Sequence, residues 1–320
     1  VSKYTVLATP RSFAKQDPQP LTLLESRGCQ VIRLPIHDGD LREQLWEYLP
    51  QADGIIAGLE SYDASLLERA KKLKVISRYG VGVDNVDISF TKARNIVVTN
   101  TPGANSDSVA DLAVALMLCA ARHVCQMNQR IHAGQEKKPL SGVEMWKKTL
   151  GIVGTGRIGK GVIARVGGFK MNVLAYDAYP DEGFMSSHNG KYVDLDTLFS
   201  ESDFISLHAP LNEDTKSMVN QKRIALMKKD AILVNTARGG LIDEDALFNA
   251  LKNGLIGAAA LDALMNEPAS NSPLASLENC ILTPHAGAAT LEAGLNMGMM
   301  AAQNLLDVLE KNSCRYALEL

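Results

Sequence analysis

Between residues 150 and 166 the short apolar run Leu150-Gly151-Ile152-Val153 passes directly into Gly154-Thr155-Gly156-Arg157-Ile158-Gly159, and Ile158, Val162 and Val166 then recur at helical spacing. A strand that ends in G-x-G-x-x-G and restarts as an amphipathic helix implies a tight turn whose backbone approaches an anion. Gly154 permits the turn, Gly156 lets backbone come close to a pyrophosphate, and Gly159 lets the helix pack closely, while the helix N-terminus offers free N–H groups. The next apolar run, 172–176, ends at Asp177, whose carboxylate is suited to accept hydrogen bonds from both ribose hydroxyls and would repel a 2'-phosphate. The pattern therefore predicts a dinucleotide site that takes NAD rather than NADP. A glycine-rich turn beside an unrelated surface Asp is the competing explanation, and the register of strand, helix and acid argues against it.

The chain has 320 residues, enough for two domains at roughly 150 residues each. Strand-like runs at 4–8, 30–34, 54–57, 75–77 and 96–99 alternate with charged helical stretches, and a second set follows at 150–153, 172–176, 204–207, 231–234, 257–261 and 281–283. Such alternation predicts an α/β protein with two parallel sheets. Between the two sets, residues 105–121 are apolar on nearly every side (Val109, Leu112, Val114, Leu116, Met117, Leu118), with the capping-type sequence Ser108-x-x-Asp111 at the start. That segment reads as a buried helix, packed in part against another subunit. Residues 291–309 read as a final helix.

Several classes of function are excluded by what the sequence lacks. No run of about 18 apolar residues is available to span a bilayer, and residues 1–9 do not resemble a signal peptide, so no membrane association and a cytoplasmic location are expected. Cys29, Cys119, Cys125, Cys280 and Cys314 are scattered without C-x-x-C spacing, which points to reduced thiols and no metal site. The net charge is −3 and the basic residues form only doublets, so nucleic-acid binding has no electrostatic support.

Candidate chemistry gathers behind the later strands. Arg238, in Asn235-Thr236-Ala237-Arg238-Gly239-Gly240, follows a buried strand at the sheet edge where open α/β proteins bind ligands, and its guanidinium suits a carboxylate. Asp262 and Glu267 follow the next strand and His285 the one after. A Glu beside a His favours the imidazolium, which would let His285 act as acid for carbonyl reduction and base for the reverse reaction. Taken singly, each has a plainer structural explanation: an ion pair, a turn residue before Pro268, a hydrogen-bonded core histidine. His208, in His208-Ala209-Pro210, ends another strand and is assigned a backbone role beside the cofactor.

The stretches 78–87 (Arg78-Tyr79-Gly80-Val81-Gly82-Val83-Asp84-Asn85-Val86-Asp87), Asn100-Thr101-Pro102-Gly103, the glycine loop, His208-Ala209-Pro210-Leu211, 235–243, Ala260-Leu261-Asp262, Glu267-Pro268 and Pro284-His285-Ala286-Gly287 resemble, in order and spacing, the D-isomer-specific 2-hydroxyacid dehydrogenase family, closest to its D-3-phosphoglycerate dehydrogenase branch. The resemblance implies a flavodoxin-like substrate domain made of residues 1–101 plus 289–320, a larger NAD-binding Rossmann domain of residues 102–288, and a cleft between them with hinges near Asn100 and Ala288. It also implies a homodimer formed through the apolar helix. In that reading Arg238 orients the substrate, Glu267 pairs with His285, His285 moves the proton, and the Val81-Gly82 amides hold the carboxylate. The cofactor would be met by Gly154, Gly156, Arg157, Ile158, Gly159 and Asp177, and by His208, Ala209, Pro210, Thr236, Ala237, Asp262, Ala286, Gly287 and Ala288.

Departures bear on the substrate. The phosphoglycerate branch typically carries an Arg after the third strand to hold phosphate, whereas Ala57-Gly58-Leu59-Glu60 places an acid there. Arg78 and Arg122 match basic positions of that branch, which keeps 3-phosphoglycerate beside hydroxypyruvate, glyoxylate or another 2-oxo acid as candidate substrates. A short form without the C-terminal regulatory domain is expected. Formate dehydrogenases share the fold but carry Gln where Glu267 stands; a corepressor-like scaffold that senses NAD is the alternative of another class.

Overall fold

The computed structural model describes residues 2–37, 39–135, 138–266 and 268–318. Glu267, expected to pair with His285, lies outside these residues. The chain divides into two compact units, Val1–Asn105 with Ala289–Leu320, and Ser106–Ala288.

In the first unit, β1 (Tyr4–Ala8), β2 (Cys29–Arg33), β3 (Gly54–Ala57), β4 (Val75–Arg78) and β5 (Val97–Thr99) form a parallel sheet in the order β2-β1-β3-β4-β5. This is the doubly wound flavodoxin order. Every residue of β3 and β4 is buried, as a sheet covered on both faces requires. One cover is the helix Leu291–Lys311, which begins at Thr290, whose Oγ1 accepts the Ala293 N–H at 3.2 Å. Its Ala301, Ala302, Leu305 and Leu306 pack with Val6, Ala8, Ile56 and Val75. Ser77 Oγ donates to Ala301 O at 2.8 Å and Asn304 Nδ2 to Asn100 O at 2.9 Å, so polar bonds as well as apolar burial tie this late segment to the first hundred residues.

The second unit contains β6 (Thr149–Val153), β7 (Asn172–Tyr176), β8 (Gly190–Tyr192), β9 (Phe204–Leu207), β10 (Ile232–Asn235), β11 (Ala258–Leu261) and β12 (Cys280–Leu282), all parallel, in the order β12-β11-β10-β9-β6-β7-β8. The winding reverses at β6, and the crevice above its carboxyl end is the place where such sheets bind nucleotides. The edge strand β8 was not foreseen, because Gly190-Lys191-Tyr192 is too short and polar to stand out as an apolar run.

The helix Ser106–Ala121 packs on the helix Arg157–Val166 and on β10 and β11, burying Val109, Ala110, Ala113, Leu116, Met117 and Ala120. Leu112, Val114 and Leu118 are only partly covered. Ser108-x-x-Asp111 does not open this helix, which starts at Ser106. Ser108 is instead a buried residue of the first turn, and Asp111 pairs with Arg165 on the surface because the neighbouring helix brings a guanidinium there. Among the described residues no single helix is long and apolar enough to cross a membrane.

Candidate active site

The glycine loop leaves β6 as the apolar run requires. Gly154 has φ 95°, and a Cβ there would lie 2.7 Å from Ala209 N, so the turn admits glycine for both conformation and space. At Gly159 a Cβ would meet Gly154 O at 2.0 Å, which is why the helix Arg157–Val166 can start so close to the strand. A Cβ at Gly156 would meet nothing within 4 Å, so this stretch of backbone is open to an approaching group. Gly156 caps the helix without a side-chain bond, leaving the first-turn amides and the exposed Arg157 for an anion. Ile158 is half-buried against the core beneath.

Asp177 stands at the end of β7. Thr155 donates to its Oδ2 through both N–H and Oγ1, the latter at 3.0 Å, and Tyr179 N donates to Oδ1 at 2.8 Å. Thr155 Oγ1 lies 2.8 Å from Tyr192 Oη. The acid is thus fixed to the glycine loop itself, a coupling that sequence spacing alone did not reveal.

On the other side of β6, His208 N donates to Val153 O at 2.7 Å, which brings the His208-Ala209 backbone against the glycine loop. Burial pushes the His208 imidazole down to about 4, so it is neutral at physiological pH. One ring nitrogen, Nε2, lies 2.9 Å from Ser206 Oγ; among the described residues the buried Nδ1 has no hydrogen-bond partner, and neither has the buried Thr236 Oγ1. Orphaned polar atoms along this edge, an open glycine backbone and a helix N-terminus without a side-chain cap suit a dinucleotide with its phosphates at the loop.

Arg238 follows β10. Asn235, fully buried, donates from Nδ2 to Arg238 O at 2.8 Å and accepts the Ala237 N–H on Oδ1 at 3.0 Å, so one amide side chain sets the loop. Arg238 Nη1 donates to Ala237 O at 2.8 Å. At Gly239 a Cβ would fall 1.9 Å from Leu264 C, so only glycine lets the chain after β11 pass behind the arginine. The role of Asn235 was missed although the residue was in view, because a buried Asn in a strand-end motif has no spacing signature.

His285 follows β12 in a left-handed conformation, φ 52°, which is costly for a residue with a Cβ and must be held by its surroundings. The fully enclosed Asp262 accepts from Thr283 Oγ1 at 2.6 Å and Ala286 N at 2.7 Å on Oδ1, and from Gly287 N at 2.7 Å on Oδ2. Its carboxylate therefore spans the histidine turn. This is a structural duty that the family resemblance, which placed Asp262 beside the nicotinamide, did not convey. Arg238, Asp262 and His285 lie behind the neighbouring strands β10, β11 and β12 on one sheet edge.

In the first unit Arg78 is buried and donates to three backbone carbonyls: Ala57 O at 2.5 Å, Gly82 O at 2.9 Å and Gly58 O. Asn100 Nδ2 donates to Val81 O at 2.8 Å. The peptide units around Val81 and Gly82 are thus oriented from behind, with Arg78 shaping the loop. Glu60 is half-buried at the same sheet edge, its Oε2 accepting from Thr9 Oγ1 at 2.8 Å and Tyr62 Oη at 3.2 Å. A Cβ at Gly58 would lie 2.6 Å from Glu60 Oε2, so the acid fills the space a side chain at 58 would need. Among the described residues no cluster of side chains is arranged to hold a metal.

A parallel sheet that reverses at a glycine loop, with an acid at the end of the next strand, defines a Rossmann-type dinucleotide-binding protein. The model of the family described as D-isomer specific 2-hydroxyacid dehydrogenase, NAD binding domain, matches residues 114–287. The chain is 43% identical over 283 residues to D-3-phosphoglycerate dehydrogenase of Methanocaldococcus jannaschii, covering 88% of this chain and 54% of that one. It spans about half the length of that relative. With hydroxypyruvate reductase of Thermotoga maritima it shares 42% identity over 273 residues, 84% of this chain and 88% of that one. The crystal structure of a glyoxylate reductase from Paecilomyes thermophila superposes with a TM-score of 0.86 at 29% identity, covering 100% of this chain and 99% of that one. This chain belongs to the D-isomer specific 2-hydroxyacid dehydrogenase family.

NAD(H) is accordingly the cofactor of the second unit. Asp177→Ala is expected to weaken NADH binding about tenfold, as loss of one or two hydrogen bonds would, and to improve NADPH relative to NADH. Titration of both cofactors by protein fluorescence checks this; an unchanged preference would place the ribose contact on another residue.

Proposed function

We propose that this protein interconverts D-2-hydroxy acids and 2-oxo acids with NAD(H), and that its substrates are small acids without a phosphate, such as hydroxypyruvate or glyoxylate. The oxidoreductase reading rests on Arg238 and a strained His285 at the ends of β10 and β12, the two strands that flank β11 in the sheet that carries the glycine loop. Bound NADH supplies the hydride to the carbonyl carbon. Arg238 holds the substrate carboxylate and polarises the neighbouring carbonyl by charge-assisted hydrogen bonds. His285 donates its ring proton to the carbonyl oxygen as the alcohol forms, and takes it back in the oxidation direction. The half-covered Leu112, Val114 and Leu118 support assembly as a homodimer through the 106–121 helix.

The substrate choice rests on Glu60. A carboxylate held by Thr9 and Tyr62, in the space where the phosphoglycerate branch would extend a base, repels a phosphate. Arg78, the nearby cation, is spent on backbone carbonyls. The test is NADH oxidation at 340 nm with hydroxypyruvate, glyoxylate, pyruvate and phosphohydroxypyruvate. Hydroxypyruvate or glyoxylate is expected to exceed phosphohydroxypyruvate at least ~10-fold in kcat/KM, and Glu60→Gln to narrow that gap. A dominant phosphohydroxypyruvate signal would overturn the substrate assignment, and silence on every acid despite tight NADH binding would favour the scaffold.

A further inference from the structure

His285 occupies a conformation it would not choose alone, so whatever holds its turn also aims its ring. Asp262 accounts for one side of the turn. The other side is met by the helix Ser106–Ala121, from which Ser108 Oγ donates to Gly287 O at 2.6 Å in a buried setting. A serine within a helix ordinarily returns its hydroxyl to a carbonyl of its own preceding turn or points it to water. Here the bond crosses 179 positions of sequence to reach the peptide just after His285 and Ala286.

Gly287 is enclosed on the same two sides: a Cβ there would lie 3.1 Å from Asp262 Oδ2 and 3.2 Å from Val109 Cγ2. Its N–H is given to Asp262 and its carbonyl receives Ser108, so both polar ends of this residue are satisfied by side chains from different elements. Thr283 Oγ1 to Asp262 closes the turn from the strand side. The left-handed residue is thus bracketed by anchors before and after it, and the Ser108 anchor connects the turn to the apolar helix.

We propose that Ser108 is a positioning residue for the proton-transfer step, its hydroxyl fixing the Gly287 carbonyl and thereby, with Asp262, the orientation of the His285 ring. This rests on the reading of His285 as the acid–base group, and it assigns Ser108 no contact with substrate or cofactor. Removing the hydroxyl loosens the turn without removing a binding group, so the chemical step suffers and ground-state binding does not.

The experiment compares Ser108→Ala, Ser108→Thr and Ser108→Val in the full chain. Kinetics with the best 2-oxo acid should show kcat reduced about tenfold in S108A and S108V, with the KM for the acid and the Kd for NADH within about twofold of wild type, and S108T close to wild type because it keeps the hydroxyl. In parallel, NMR of ring-labelled histidine, with the His285 signal assigned by its loss in His285→Asn, needs no turnover. One sharp signal is expected in wild type and S108T, and a shifted or broadened one in S108A and S108V. If wild type turns over no 2-oxo acid, the proposed function fails while the NMR comparison still decides the role of Ser108. Unchanged kcat and unchanged His285 signal in S108A would overturn the proposal, as would an S108T variant that is folded yet as impaired as S108V. If S108A does not fold, the Thr and Val pair, matched in shape and differing in the hydroxyl, carries the same decision.

Discussion

His285→Ala is expected to lower kcat by about 10²- to 10⁴-fold, the usual worth of a positioned acid–base group, with the Kd for NADH nearly unchanged. The separation follows from location: the glycine loop and Asp177, proposed to hold the cofactor, lie behind β6 and β7, whereas His285 lies behind β12. Because His285 is left-handed, alanine would also sit in a conformation that disfavours it, so His285→Asn is the informative companion. Asn tolerates that backbone but cannot exchange a proton near neutral pH. Loss of turnover in both variants, with NADH binding retained, isolates the chemistry from the turn. Near-normal turnover in H285N would remove His285 from the mechanism.

Arg238→Ala should cost about 10²- to 10³-fold in kcat/KM, since truncating one member of a charge-assisted pair costs about 2–5 kcal/mol, and the loss should appear in both KM and kcat. Arg238→Lys should recover only part of it, because an ammonium cannot reproduce the planar two-point grip on a carboxylate. Stability should change little. The loop is set by Asn235 and by the close passage at Gly239, and the guanidinium donates to Ala237 O. Steady-state kinetics and a thermal melt on the same samples check both halves. A large drop in melting temperature, or a KM untouched by R238A, would contradict the assignment.

Much of the fold was legible because strands in parallel sheets are continuous apolar runs. Residues 4–8, 54–57, 172–176 and 204–207 stood out from the sequence with the bounds found for β1, β3, β7 and β9. β8 did not, since an edge strand of three mixed residues needs no apolar run. The helix at 106–121 was legible for its hydrophobicity and misread at its start: a Ser three positions before an Asp signals a cap only when both face the local backbone. Here the long-range partners Gly287 O and Arg165 claimed them.

Of the site, the sequence by itself determined the residue types and their order: the three glycines, Asp177, Arg238 and His285, each placed just after an apolar run. Those placements are local, and local chemistry such as a turn without a Cβ or an acid at a strand end is written in adjacent residues. Only the tertiary structure decided that Asp262 is buried as the clamp of the histidine turn, that Asn235 sets the arginine loop, that Arg78 is spent on backbone carbonyls and that Glu60 is fixed by Thr9 and Tyr62. The reason is physical: a buried polar group must find its hydrogen bonds wherever folding brings a partner, and these partners lie on different strands, helices and loops at separations that no sequence period encodes.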